Sequence, residues 1–149
     1  GEELADVANF TMGIAEIKGI DLATEILKKL NISQKKDGTG MQLKDAHTGT
    51  VVQMKETQVE VHKSQVLNGR TDIAVEQMFC NIYGKVGKAY EAYYKGWDTF
   101  AEELANVLIC LMGIAETNGI DLGNEIIQKV EKNKSRKYKQ NELGYMVHL

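Results

Sequence analysis

Two carboxylates near the start of the chain are the first residues whose spacing could support chemistry. Glu3 and Asp6 lie three positions apart in a segment of helix-forming residues, so a helix would place both side chains on one face. Hard carboxylate oxygens in that arrangement suit Mg²⁺. An acidic pair at a helix start is also favoured by the helix dipole without any metal. From the residues alone, the structural interpretation is favoured over a metal site.

The same acidic segment occurs again one hundred positions later. Residues 2–36 align without a gap with residues 102–136. Three blocks of the first copy recur unchanged in the second: Glu2-Glu3-Leu4-Ala5, Met12-Gly13-Ile14-Ala15-Glu16 and Gly19-Ile20-Asp21-Leu22. A match of this length indicates a duplicated structural unit.

Each copy predicts two helices joined by a short turn. Apolar residues recur with a period of 3.6, Gly19 is placed to end the first helix, and Asp21 is placed to cap the second. In the second copy, Thr99 and Glu102 have the spacing of a capping box. Proline is absent from the sequence, so no proline interrupts a helix. We therefore expect an all-α fold without a sheet of three or more strands.

The predicted helices divide the chain into two units. They cover residues 2–18, 21–35, 51–67, 72–95, 99–117 and 121–137. A partial unit of two helices covers residues 2–36, and a Gly-containing connector follows at 37–50. A complete unit of four helices then covers residues 51–138, and a tail covers 139–149. The first residue is Gly1 rather than Met, which suggests processing or excision and is consistent with an upstream half-unit in the natural protein.

The opening pair of helices predicts an association. Two isolated helices cannot bury both of their apolar faces, so a partner must cover them. We expect either a homo-oligomer formed through the helical hairpins or cover from the second unit of the same chain. In either case the two hairpins should be related by a pseudo-two-fold axis.

The composition limits the partners and the compartment. A net charge of −3 gives no broad cationic surface, so duplex nucleic acid is not an expected partner. No apolar run approaches the roughly 20 residues of a membrane span, and no leader pattern is visible, so we expect no membrane and a cytoplasmic location. Cys80 and Cys110 lie within apolar helical patterns and are predicted to be core residues.

Several segments resemble one enzyme family. The run from Glu2 to Val7, the Gly-Ile-Asp-Leu turn and the basic run from Lys129 to Tyr138 resemble the third and fourth helices of MazG-like nucleoside triphosphate pyrophosphohydrolases. The resemblance covers residues 2–30 and most of 72–138. It implies a MazG-like helical bundle, here one and a half repeats packed as a pseudo-dimer. It also implies Mg²⁺-dependent hydrolysis of a nucleoside triphosphate to the monophosphate and pyrophosphate.

The resemblance implies an incomplete metal site. Members of the family hold Mg²⁺ with a Glu-x-x-Glu pair on the second helix and a Glu-x-x-Asp pair on the third. Glu3 and Asp6 correspond to the third-helix pair and become the implied catalytic and metal-binding residues. In the second copy only Glu103 remains as a ligand. The positions of the other three carboxylates there have degenerated to Lys85, Lys88 and Asn106.

Other residues have two interpretations each. The resemblance implies substrate contacts from Lys29, Lys132, Asn133 and Arg136, although basic residues also suit any helix C-terminus. Lys88 could pair with Glu103 in place of the metal, or Lys85 and Lys88 could contact phosphate oxygens. A tyrosine stripe could stack a nucleotide base, but core or interface packing is favoured: Tyr83, Tyr90 and Tyr94.

Two hypotheses of function follow. The first is a MazG-like nucleotide pyrophosphohydrolase that is weak or inactive because neither copy presents four carboxylates. The alternative is a non-catalytic protein, either a pseudoenzyme that binds nucleotide or a helical scaffold. The coding sequence upstream of Glu2 distinguishes them, because an upstream helix with Glu-x-x-Glu would favour the enzyme and a true start there the non-catalytic protein. An assay of pyrophosphate release with Mg²⁺ over a panel of nucleoside triphosphates would reduce the uncertainty most.

Overall fold

Six helices and two short β-hairpins form the part of the chain described by the computed structural model, which covers residues 1–35, 37–38, 40–70 and 72–148. The helices are α1 (Glu2–Ile17), α2 (Leu22–Leu30), α3 (Met54–Leu67), α4 (Val75–Lys95), α5 (Phe100–Thr117) and α6 (Leu122–Ser135). The strands are β1 (Gln42–Lys44), β2 (Val51–Gln53), β3 (Tyr138–Gln140) and β4 (Met146–His148). The described chain is therefore mainly helical, as predicted.

Four residues lie outside the described part: Lys36, Thr39, Thr71 and Leu149. The predicted ranges 2–36, 37–50, 51–138 and 139–149 each include one of them, and Lys36 is also the first-copy counterpart of Arg136.

The predicted turn between the two helices of each copy is confirmed. Gly19 and Gly119 both have positive φ, at 64° and 66°, where an L side chain would be strained. Asp21 and Asp121 both accept a hydrogen bond from the backbone N–H three residues later, at 2.9 and 3.1 Å. Local sequence signals therefore fix both turns in the same way.

Several predicted helix boundaries are wrong. Residues 51–53 form β2 rather than the first turn of a helix, because they pair antiparallel with β1 in the segment predicted as a plain connector. Helix α2 ends at Leu30 instead of residue 35, since Asn31 adopts a left-handed conformation with φ 52°. Thr99 makes no side-chain cap, because its backbone is already helical at φ −77° and ψ −2°. Part of the tail predicted after residue 138 forms β4, which pairs with β3.

Helix α5 lies at the centre of the core. Its buried residues point in all directions around the helix: Leu104, Ala105, Val107, Leu108, Leu111, Met112, Ile114 and Ala115. A helix that is apolar all round must be covered all round. The cover comes from α1, α2, α3 and α4, each of which contacts α5.

The two copies of the repeat exchange their packing partners. Helix α1 packs against α6, while α2 packs against α5. In the repeat, α5 is the counterpart of α1 and α6 is the counterpart of α2. The contacts are therefore reciprocal, with the first helix of each hairpin lying on the second helix of the other.

The surroundings of the two copies differ on one face. Helices α3 and α4 both pack on α5, and a Cβ atom at Gly113 would overlap the Gln65 side chain of α3. At the counterpart Gly13, a Cβ atom would meet nothing within 4 Å. Likewise Ile114 is 4% exposed, whereas Ile14 is 42% exposed. The face of α1 that corresponds to the covered face of α5 is open.

This difference predicts opposite responses to one substitution. Gly13→Ala should raise the free energy of unfolding by about 1 kcal/mol, because the alanine lowers the conformational entropy of the unfolded chain and meets no neighbour. Gly113→Ala should give a smaller gain or a loss, because Gln65 must move. Urea unfolding of both variants measures the two effects. Equal stabilisation by both would contradict the difference in packing.

Candidate functional site

The start of α1 meets a basic face of α6. The Lys129 side chain is only 5% exposed, and its Nζ lies 2.7 Å from Glu2 Oε1 and 2.7 Å from Asp6 Oδ2. Lys132 Nζ also lies 2.7 Å from Glu2 Oε1, and the Arg136 guanidinium lies 4.0 Å from it. We call these five residues the lysine–carboxylate cluster.

Helical spacing and the exchange of partners build this cluster. Lys129 and Lys132 lie on one face of α6 because they are three positions apart, and Arg136 follows the end of the helix with an extended backbone. Glu2 and Asp6 are four apart on α1, and α1 packs on that face of α6. Sequence analysis named Asp6, Lys132 and Arg136 but missed the role of Lys129. The repeat offered the only signal, since Lys129 is the counterpart of Lys29.

Electrostatics hold the cluster in its charged form. Hydrogen bonds donated by Lys129 and Lys132 lower the pKa of Glu2 from 4.5 to about 2. The pKa of Lys129 is raised, mainly by its hydrogen bond to Asp6 and then by the one to Glu2. The ammonium and the carboxylates therefore stabilise each other's charge across the two helices.

The other copy contains a weaker version of the same contact. Lys29 on α2 donates to Glu102 Oε1 on α5, and this hydrogen bond lowers the pKa of Glu102. Both side chains are more than 40% exposed. The position of Asp6 is occupied by Asn106, which instead donates to Glu103 Oε2 at 3.2 Å. The change from Asp to Asn thus removes the second carboxylate from this lysine.

Most of the side chains predicted to contact substrate face carboxylates of the same chain. Lys29 pairs with Glu102, while Lys132 and Arg136 face Glu2. The buried Asn133 Oδ1 has no hydrogen-bond partner among the described residues. Of the three basic residues, Lys29 and Lys132 are hydrogen-bonded to carboxylates, whereas Arg136 lies beyond hydrogen-bond distance of Glu2.

The predicted metal ligands do not converge. Across residues 1–35, 37–38, 40–70 and 72–148, no three Asp, Glu, His or Cys side chains are grouped to hold a metal ion. The Asp6 carboxylate faces an ammonium, which has no lone pair to offer a metal. Glu3 and Glu103 lie on separate helices, α1 and α5. Mg²⁺ binding therefore stays a prediction, and the arrangement of these carboxylates does not fit a Mg²⁺ site.

The remaining predictions about single residues are mixed. No ion pair joins Lys88 to Glu103 in the described structure, so the predicted replacement of the metal by that pair is wrong. Cys80 is exposed rather than part of the core. Cys110 is half-buried, and burial raises the pKa of its thiol.

An apolar groove lies between α1 and α4, with α5 as its floor. Its volume is about 770 Å³. Its α1 side includes Val7, Phe10 and Ile14, and its α4 side includes Phe79, Tyr83, Val86, Tyr90 and Tyr93. Tyr83, Tyr90 and Tyr94 are 78%, 67% and 78% exposed, so they do not pack in the core of the chain, and packing at an interface stays a prediction. We call this feature the α1–α4 groove.

Comparisons with known proteins identify no relative. No family model matches the sequence, and no curated protein or solved structure matches it. Membership of a MazG-like family therefore stays a prediction. Within the described residues, no helix combines the length and the apolar character needed to cross a membrane.

The lysine–carboxylate cluster predicts a pH dependence of folding. Because the pKa of Glu2 is lowered from 4.5 to about 2, its contribution to stability is present above about pH 4.5 and is lost as the pH falls toward 2. In Lys129→Met the thermal midpoint should fall at neutral pH, and the further loss in acid should become smaller because the pKa of Glu2 returns toward 4.5.

Thermal unfolding at a series of pH values measures this effect. The matched control is Lys134→Met, which removes a pair with Glu131 whose two side chains are each 65% exposed. The control should unfold close to the wild type across the series. An unchanged acid dependence in Lys129→Met would contradict the role of the cluster.

Proposed function

We propose that this protein is a MazG-like helical module in which Mg²⁺-dependent nucleoside triphosphate pyrophosphohydrolysis is weak or lost, and that it serves as a helical scaffold. The observation that carries the proposal is the position of Lys129. Its ammonium lies 2.7 Å from both Glu2 and Asp6, the latter being a carboxylate of the implied metal-binding pair. A positive charge at that distance repels a cation and leaves the carboxylate engaged within the protein.

The second copy supports the same conclusion through different residues. Lys85 and Lys88 on α4 replace two implied carboxylates with positive charges, and Asn106 on α5 replaces a third. The remaining Glu103 carboxylate accepts a hydrogen bond from Asn106. Neither copy therefore presents the four carboxylates that the family's chemistry requires.

The order of the helices agrees with the proposed organisation. Helices α3 to α6 form one sequence of four, and α1 and α2 repeat the last two of them. The reciprocal packing of α1 on α6 and of α2 on α5 supports a pseudo-dimeric arrangement of these units.

A second candidate is nucleotide binding without hydrolysis. Lys132 is 53% exposed, and the Arg136 guanidinium lies 4.0 Å from Glu2, beyond hydrogen-bond distance. A triphosphate could compete with Glu2 for Lys132 and Arg136, because phosphate oxygens accept charge-assisted hydrogen bonds as strongly as a carboxylate does. Nucleotide that raises the thermal midpoint of the wild type, but not of Arg136→Ala, would favour this candidate.

The scaffold proposal predicts the outcome of an activity assay. The wild-type chain should release pyrophosphate slowly or not at all above a protein-free blank, with Mg²⁺ and each of the common ribonucleoside and deoxyribonucleoside triphosphates. The triple variant Lys85→Glu, Lys88→Glu and Asn106→Asp restores the implied carboxylates around Glu103. It should gain Mg²⁺-dependent release.

A fourth substitution provides the control for that gain. Adding Glu103→Gln to the triple variant should abolish the release while leaving the helical circular dichroism unchanged. Robust Mg²⁺-dependent turnover by the wild-type chain, lost in Glu3→Gln or Glu103→Gln, would overturn the proposal in favour of an enzyme.

A further inference from the structure

Helix α4 has a second apolar face that is largely exposed among the described residues, although Tyr93 near its end packs against Phe100 and Lys18. Its buried residues Met78, Ile82, Ala89 and Ala92 form the face packed on α5. A second stripe follows at spacings of three and four residues, and every member is between 43% and 78% exposed: Val75, Phe79, Tyr83, Val86, Tyr90 and Tyr93. Apolar residues at this spacing form the seam of paired helices.

The stripe is nearly symmetric about Val86. Positions at equal distances before and after Val86 carry similar residues, with Phe79 matching Tyr93 and Tyr83 lying within one position of matching Tyr90. An antiparallel pair of identical helices crossing at Val86 would therefore place Phe79 opposite the second copy's Tyr93, with Tyr83 one position away from facing the second copy's Tyr90. A two-fold contact requires such self-complementarity, whereas a contact with an unrelated helix does not.

The repeat shows what kind of element covers the opposite wall of the α1–α4 groove. Ile114 is 4% exposed beneath the cover of α3 and α4, and its counterpart Ile14 is 42% exposed. Phe10 is 74% exposed, while its counterpart Cys110 is half-buried. Since an amphipathic helix covers this face in one copy of the repeat, an amphipathic helix is the expected occupant in the other.

The exposed surface is large enough for a stable contact. Nine exposed side chains form this surface, namely the six of the α4 stripe and Phe10, Ile14 and Ile17 of α1. At about 100 Å² for each half-exposed aromatic or branched side chain, they present roughly 900 Å² per chain. A standard protein interface buries about 800 Å² per partner. The centre of this surface is aromatic and uncharged, as the buried centre of an interface usually is.

We propose that the α1–α4 groove receives helix α4 of a second copy of this chain, in a two-fold dimer centred on Val86. Each α4 then lies against α1 and α4 of its partner while its other face stays on its own α5. Both open faces become buried, and no further apolar stripe of α4 remains exposed. The inference concerns the surface of the proposed scaffold and is independent of the activity assay, so either can fail without the other.

The dimer is tested by sedimentation velocity of the full chain over a range of concentrations. The mass obtained for the wild type should be twice the chain mass of 16.6 kDa, as expected for a dimer. Val86→Glu places two carboxylates opposite each other at the two-fold axis and should weaken the dimer by roughly a hundredfold or more. The matched control is Ile127→Glu on α6, because Ile127 is 45% exposed and Val86 is 43% exposed. This control should remain dimeric.

A mixing experiment tests whether the two copies meet at Val86. Val86→Lys alone should also be monomeric, and an equimolar mixture with Val86→Glu should form a dimer because opposite charges then face each other. Circular dichroism confirms that each variant is folded. Three results would overturn the proposal: a monomeric wild type, including one that binds an apolar dye in the groove; a Val86→Glu dimer; or a mixture that stays monomeric.

Discussion

The exchange of helices between the two copies of the repeat is the constraint on which the rest of the structure depends. Because α1 lies on α6 and α2 lies on α5, neither helical hairpin forms a unit by itself. The exchange brings the acidic start of α1 to the basic face of α6, which creates the cluster around Lys129. It also leaves α5 at the centre and one face of α1 open, and this open face forms a wall of the α1–α4 groove.

The differences between the copies follow from their surroundings. Helix α5 carries Leu111 and Met112 in a fully buried environment, whereas α1 carries Phe10 and Ile17 at exposed positions. The acidic positions differ in a related way. Asp6 forms an ion pair with the nearly buried Lys129, whereas its counterpart Asn106 donates a hydrogen bond to the neighbouring Glu103. Asp6 and Glu103, two of the residues that would bind a metal in a MazG-like enzyme, thus take part in contacts within the protein.

Local signals in the sequence were sufficient for most of the helices and for both turns. Glycine at a positive φ and aspartate at a helix start act over a few residues, so they can be recognised without knowing the fold. Strand β2 could not be recognised in this way, because it depends on pairing with β1 several residues away. Lys129 was missed for the same reason, since its partners lie more than one hundred residues earlier in the chain. The groove depends on which faces stay uncovered, which periodicity alone does not determine.

The pairing of Asp6 with Lys129 is the most direct measure of the exchanged packing. A double-mutant cycle compares the free energies of unfolding of the wild type, Asp6→Asn, Lys129→Met and the double variant. Because the two side chains lie 2.7 Å apart, the double variant should be destabilised by clearly less than the sum of the two single effects. Effects that add within error would show that α1 and α6 do not meet at these residues, and would contradict the exchanged arrangement of the repeat.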